Sequence, residues 1–377
     1  MILVNPEWGG EKAEDIWALY YYLLYRVLPF SPSDYLPQDE KGFFYYDKGD
    51  RHTARIYPMH PNKEFVDTLS LYDQIKSVSV DLCDFLFIDR TTVNRNHLRE
   101  LLTTPTDQET LSKGYLTFSL TTPKKGKRAL AKAWKPILTE IFNYKAFSSE
   151  PLFPRLIQLL GVETCPYCNR SFTTTAKINN REYQRHNQID HYRPKATHPW
   201  FALSLLNFIP SCGNCNLRKG NDDSFVLYPY YEEFGTVYRF RTVPLSGLGY
   251  LTGQPGSEDT FEVEIEQIPD TMPGESYKKR VEHSIFKFGL DVLYRKSHNA
   301  YVKGIFEQRF LICDAYLDSL CASFPDHFKN REDVRRMLYL KPFDENELDK
   351  SPLAKLTHDI NSEISELIKE DTDENDG

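Results

Sequence analysis

Two short stretches, Cys165-Pro166-Tyr167-Cys168 and Cys212-Gly213-Asn214-Cys215, decide how this chain is read. Each is a Cys-x2-Cys turn, the spacing that lets one bend of backbone present two sulfurs to a single ion. Zinc takes four ligands at tetrahedral corners, about 2.3 Å from sulfur, so two such turns complete one site. A structural Zn2+ site over Cys165, Cys168, Cys212 and Cys215 is the first expectation. The rival readings are a redox pair and unrelated buried thiols. A thioredoxin-like site needs one Cys-x2-Cys at a strand-to-helix junction, not two. The stretch between the inner cysteines is 43 residues, Asn169 to Ser211, against roughly 15–20 in a simple zinc ribbon. A sizeable element is therefore inserted between the turns.

That insert carries Ile189-Asp190-His191-Tyr192-Arg193-Pro194-Lys195, then Leu206-Asn207. Asn216-Leu217-Arg218-Lys219-Gly220 follows directly behind the fourth cysteine. An Asp-His, an Asn some way on, and a second Asn behind a zinc turn resemble the HNH endonuclease family. The wording Cys-Pro-Tyr-Cys-Asn-Arg, Asp-His-Tyr-Arg-Pro-Lys and Asn-Phe-Ile-Pro-Ser-Cys-Gly-Asn-Cys-Asn is similar to the HNH subunits of Septu-type and retron-associated anti-phage systems. The resemblance covers only about 60 of the 377 residues, and its third position is Asn where His is commonest.

The resemblance implies an α+β fold: a ββα-metal finger braced by the four-cysteine zinc site, between mainly helical N- and C-terminal regions. It implies a metal-dependent endonuclease cutting DNA, or RNA such as tRNA, to a 5′-phosphate and a 3′-hydroxyl. His191 would be the general base. Asp190 and Asn216 would hold Mg2+ or Mn2+, and Asn207 would tie the strands of the hairpin together. The zinc would take no part in turnover, and an ATPase would act beside the nuclease. The residue types suit that chemistry, because phosphodiester hydrolysis builds negative charge on phosphate while a water is delivered in line. A hard divalent cation on oxygen ligands neutralises that charge, and a histidine titrating near neutrality can take the proton. Adjacent residues on a strand face opposite ways, so Asp190 and His191 can serve one site only through a bend or bulge. Arg193, Lys195, Arg218 and Lys219 are placed in sequence to meet phosphates. The competing view is a zinc-stabilised module that binds nucleic acid or protein without cutting. Taken singly, Asp190-His191 is a surface turn and Asn207 a turn or cap residue. His198 reads as structural, and His186 as a weak second candidate.

The charge is uneven. Lys+Arg 46 against Asp+Glu 54 gives a net −8. From Lys341 to Gly377 there are 12 acidic and 4 basic residues, which accounts for all of it. Gly161 to Asn221 carries 8 basic and 3 acidic residues, and Lys124, Lys125, Lys127, Arg128, Lys132 and Lys135 form a basic run. An acidic average does not exclude a polyanionic partner, since binding responds to local potential. Hydrophobic content of 40% and charged content of 27% exclude a disordered or collagen-like chain. The most apolar run, Trp17 to Phe30, is broken by Arg26 and is too short to span a bilayer. No secretory signal pattern opens the chain, so a soluble cytoplasmic protein is expected, without a disulfide framework. Cys83, Cys313 and Cys321 then read as buried free thiols.

Four regions are expected. Residues 1–150 are a mainly helical substrate- or partner-binding region, with helices over Ala13–Leu28 and Ala129–Tyr144 and a Pro-rich loop to Asn62. Val66–Phe87 fits helix and strand equally. Residues 151–235 hold the nuclease finger, entered through a helix over Pro154–Leu160. Residues 236–340 hold a strand pair, Arg239–Val243 and Thr260–Ile268, then helices Glu275–Phe288 and Asp291–Phe324. Residues 341–377 form an amphipathic helix and an unfolded acidic tail from Glu370.

Overall fold

The computed structural model describes residues 2–3, 13–36, 44–48, 51–55, 65–105, 117–120, 134–179, 182–222, 226–235, 237–245, 261–295 and 297–375. Helix α1 (Ala13–Val27) is apolar on nearly every side, and Ile16, Leu19, Tyr20, Leu23 and Leu24 are wholly buried. Where a loop was expected, a hairpin forms from Phe44–Lys48 (β1) and Arg51–Arg55 (β2). Gly49-Asp50, the two residues between the strands in the sequence, is a turn signal preceded by the aromatic run Phe44-Tyr45-Tyr46. The ambiguous Val66–Phe87 resolves as Thr68–Val78 (α2) and Val80–Leu86 (α3). Capping settles the period: Asp67 accepts from the Ser70 amide and Ser79 from the Leu82 amide.

Phe87–Asp89 (β3) then pairs with Thr92–Val93 (β4), and Asn94 caps Arg95–Thr103 (α4). Trp134–Ile141 (α5) stops short of Tyr144, because Asn143 caps a separate helix, Tyr144–Ser149 (α6). The start expected at Ala129 lies outside the described residues, as do Lys124, Lys125, Lys127, Arg128 and Lys132. Phe153–Leu159 (α7) delivers the chain to the first cysteine turn, as expected.

Between the cysteine turns come two hairpins, Thr175–Asn179 (β5) with Glu182–Arg185 (β6), and Gln188–His191 (β7) with Phe208–Ser211 (β8). In the second, Gln188 faces Ser211 and His191 faces Phe208. Gly213–Lys219 (α8) follows β8 directly and packs against β7. Tyr192 and Tyr228 brace this unit through their hydroxyls, donating to Val226 O and Leu206 O.

Further on, Tyr238–Pro244 (β9) pairs with Phe261–Gln267 (β10), as their alternation predicts. Glu275–Phe288 (α9) ends at Gly289, whose φ of +63° suits glycine. A side chain there would also strike the Arg218 guanidinium at 2.7 Å. The single helix expected over Asp291–Phe324 is instead Leu290–Arg295 (α10), Asn299–Leu311 (α11) and Asp314–Ser323 (α12). The break before α12 is locked by Asp314, which pairs with both Arg309 and Arg331. Helix α12 buries only Leu317, so Cys313 is exposed and Cys321 half-buried, whereas Cys83 is buried as expected. Arg331–Tyr339 (α13) precedes the last helix, Ala354–Asn375 (α14). Helix α14 runs on through most of the acidic tail expected to be unfolded, since extending a formed helix is easy. No helix among the described residues is long and apolar enough to cross a membrane. The whole is a mixture of helices and small antiparallel sheets.

One apolar core joins these parts, from Leu19 and Tyr20 of α1 through Tyr167 and Phe208 to Leu356 and Ile360 of α14. Helix α14 covers the free edge of β9. Asp359 accepts from the Phe240 amide at 2.9 Å, and Glu363 from the amide and hydroxyl of Thr242. Burial pushes the Glu363 carboxyl up to about 7, against hydrogen bonds from Thr242 that pull it down. A carboxyl whose folded pKa is raised keeps its proton longer in the folded state, so stability falls as pH climbs from about 4.5 through 7. Glu363→Gln, which keeps one acceptor oxygen, should therefore raise Tm at pH 8 and leave it nearly unchanged at pH 5. Equal shifts at both pH values would show that the carboxyl is not perturbed.

Candidate functional site

The four cysteines converge as their spacing predicts. Their sulfurs all lie within 4.8 Å of one another, and all four residues are buried. The Cys168 and Cys212 sulfurs are 3.9 Å apart, against about 3.8 Å between the corners of a tetrahedron with 2.3 Å arms. All are free thiols, with no disulfide among them. The first turn closes through the Asn169 amide donating to Cys165 O at 2.8 Å, with Asn169 left-handed at φ 49°. The second turn is the start of α8, where the Cys212 sulfur accepts from the Cys215 amide. Hydrogen bonds from the other three thiols hold Cys212 below the ordinary thiol range, towards the thiolate a metal requires. This set could hold a metal ion such as zinc.

The turn also reaches into the neighbouring hairpin. Tyr167, between the first two cysteines, donates its hydroxyl to Asp190 Oδ2 at 2.5 Å. Asp190 is 3% exposed, and its charge is answered by Lys219. The Lys219 ammonium lies 3.1 Å from Asp190 Oδ1, 3.0 Å from Oδ2 and 2.9 Å from His191 O. Lys219 is therefore not a surface cation offered to phosphate, as its place in the sequence suggests. It is an interior counter-ion.

His191 sits one residue further along β7 with its ring buried edge-on against Tyr144, at 4.4 Å, and Phe208. Its Nε2 lies 3.2 Å from Ala202 O. A carbonyl can only accept, so Nε2 carries the proton and Nδ1 keeps its lone pair. Burial first, then the charges of Lys195 and Lys219, push the imidazole down to about 3. It does not titrate near neutrality, contrary to expectation, and is a neutral base throughout the physiological range. The imidazole proton signals in NMR should accordingly stay flat from pH 5 to 8. An inflection near 6.5 would show an exposed, ordinary ring.

Asn207 is wholly buried and acts as a cross-tie. Its Oδ1 accepts from the Arg193 amide at 2.7 Å, and its Nδ2 donates to Arg193 O and Phe201 O. Asn216, on α8, donates from Nδ2 to Gln188 Oε1 at 2.7 Å. Asp190, His191 and Asn216 line one open cavity of about 590 Å³ together with Gln188, Lys195 and Asn221. Of the four cations read from sequence as phosphate contacts, Lys195 alone lines it. Arg193 is buried with its guanidinium over Tyr192, and Arg218 lies against Gly289. His186 is not part of the lining, and His198 packs against Trp200 and Phe201, in keeping with a structural role.

Tyr167, Gln188 and Asn169 were not singled out from sequence. Asn169 takes the Leu353 amide on its carbonyl at 2.6 Å and the Lys355 amide on its side chain, which fastens the start of α14 to the first cysteine turn. A lone Asn behind a Cys-x2-Cys is the one available signal for that, since Asn tolerates the left-handed conformation.

No protein-family model matches the chain, and no solved structure matches it. A stretch of 89 residues, 23% of the chain, is 27% identical to the Septu protein PtuB of Bacillus thuringiensis. The match spans about a third of that protein's length, 32%.

Proposed function

We propose that this chain is a metal-dependent endonuclease of the HNH type that hydrolyses phosphodiester bonds, DNA first among its substrates, as the effector of an anti-phage defence system. The observation that carries this reading is one cavity lined by Asp190, His191 and Asn216, on a hairpin followed by a helix and braced by a four-cysteine cluster. Similarity to a Septu protein supports the defence role, while an ATPase partner rests on the resemblance alone. His191 Nδ1, without a partner among the described residues, is the atom suited to take a proton from water.

A divalent ion would be held by Asp190 Oδ1, which among the described residues accepts from Lys219 alone, and by Asn216 Oδ1, whose amide is oriented by Gln188. Bound there, it would neutralise charge building on the phosphate. Asn207 positions the strand that carries His191 and transfers no proton. Purified protein incubated with panels of DNA and RNA, with and without Mg2+ or Mn2+, tests the reading. Metal-dependent cutting that His191→Ala slows by orders of magnitude is the expected result.

The second reading is a zinc-braced binding module that does not cut. It is favoured by the Lys219–Asp190 pair, which already neutralises the only carboxylate among the described residues lining the cavity. That module would bind the same probes and cut none of them.

A further inference from the structure

The candidate cavity does not end at His191. Beside it lies a second cavity of about 320 Å³, and the two share Lys195 and Asn221 in their walls. The second is lined by Lys135 at the start of α5, Lys145 on α6, Lys195 and Tyr144, with no carboxylate among the described residues of its wall. Lys135 and Lys145 come from the N-terminal helical region, not from the finger. The Lys195 ammonium stands 4.3 Å over the Tyr144 ring, and that ring and the imidazole of His191 meet in a T-shaped contact. None of the three lysines is ion-paired to a carboxylate among the described residues.

Three like charges around one concave, acid-free wall repel one another and raise the local positive potential, which favours an anion. Partial desolvation already pulls the Lys195 ammonium below its ordinary range. Elsewhere this chain pairs its cations closely, as in Lys219 with Asp190, Lys355 with Asp359 and Arg331 with Asp318. Of the three, Lys195 stands where the two cavities meet.

We infer that the groove formed by Lys135, Lys145 and Lys195 is a binding track for the phosphate backbone of a nucleic acid strand, leading it to His191. The helical region before the finger thereby supplies a substrate-binding wall. The track rests on the nuclease reading for its purpose but not for its existence, because binding and cutting are measured separately.

The test is fluorescence anisotropy on full-length protein with labelled duplex DNA, single-stranded DNA and single-stranded RNA, with Mg2+ and Mn2+ left out. Phosphate contacts set both affinity and its salt dependence. Lys135→Gln combined with Lys145→Gln should weaken binding about tenfold and lower the salt slope by about 2, roughly 1 per lysine. Both side chains are exposed, so Tm should not move. Lys279→Gln, an exposed lysine on α9 paired with Glu275, is the control and should change neither quantity. Among the three probes, the one whose affinity falls most identifies the strand the track accepts. Unchanged affinity and slope on all three, or no binding by the unaltered protein, would overturn the track. Failure to cut any probe while the lysine effects persist would overturn the nuclease reading alone.

Discussion

His191→Ala is expected to lower the rate of cleavage by a factor of about 10²–10⁴, the range for loss of a general base. Ala202 O fixes the proton on Nε2, the Tyr144 and Phe208 rings fix the plane, and Nδ1 is left as the basic atom. Metal content, nucleic acid affinity and Tm should change far less than the rate, because the ring makes one hydrogen bond among the described residues. Asp190→Ala is a poorer test. It strands the Lys219 ammonium, whose side chain is 1% exposed, and breaking a buried pair costs about 3–5 kcal/mol. Loss of cutting by that variant would not separate chemistry from folding. Asp190→Asn keeps the shape and an acceptor for Lys219, and is the better companion. Cutting by His191→Ala at the unaltered rate would remove His191 from the chemistry.

Cys165→Ser is expected to destabilise the protein by at least about 3 kcal/mol and to empty the metal site, because free energy of binding a structural zinc, roughly 10–16 kcal/mol, is free energy of folding. Atomic absorption should find about one zinc per chain in the unaltered protein and markedly less in the variant, with a lower Tm. The effect should travel further than the site itself. Tyr167 lies between Cys165 and Cys168 and holds Asp190, while Asn169 holds the start of α14. Losing the ion therefore loosens the carboxylate in the cavity and the helix that covers β9. A zinc-free Cys165→Ser protein with the original Tm would show that the cluster braces nothing.

Much of this architecture was readable in advance, and the reason differs by element. The cysteine cluster follows from spacing, because Cys-x2-Cys dictates the local turn whatever surrounds it. The strands β9 and β10 follow from alternation of apolar and polar residues, and helix α1 from its apolar run, each within a single element. The grouping of Asp190, His191 and Asn216 in one cavity follows from a hairpin and its next helix, all within the 32 residues from Gln188 to Lys219. What was misread shares one feature, dependence on distant partners. Lys219 and Arg218 are adjacent in sequence and both basic, yet one is buried under Asp190 and the other lies against Gly289. A helix sends neighbouring side chains about 100° apart, so only the packed surroundings decide which charge meets solvent. The His191 pKa was misread for the same reason, since burial and the nearby lysines outweigh the residue's own tendency.

Local chemistry in the chain thus specified which groups are present: four sulfurs for an ion, an acid beside an imidazole, and two amides near them. Folding across long separations specified what those groups can do. It set Tyr167 and Lys219 on Asp190, turned one imidazole nitrogen to a carbonyl, and brought lysines from α5 and α6 to the wall beside His191. Short-range spacing is written in covalent geometry, whereas exposure and net field at a site are sums over everything packed around it.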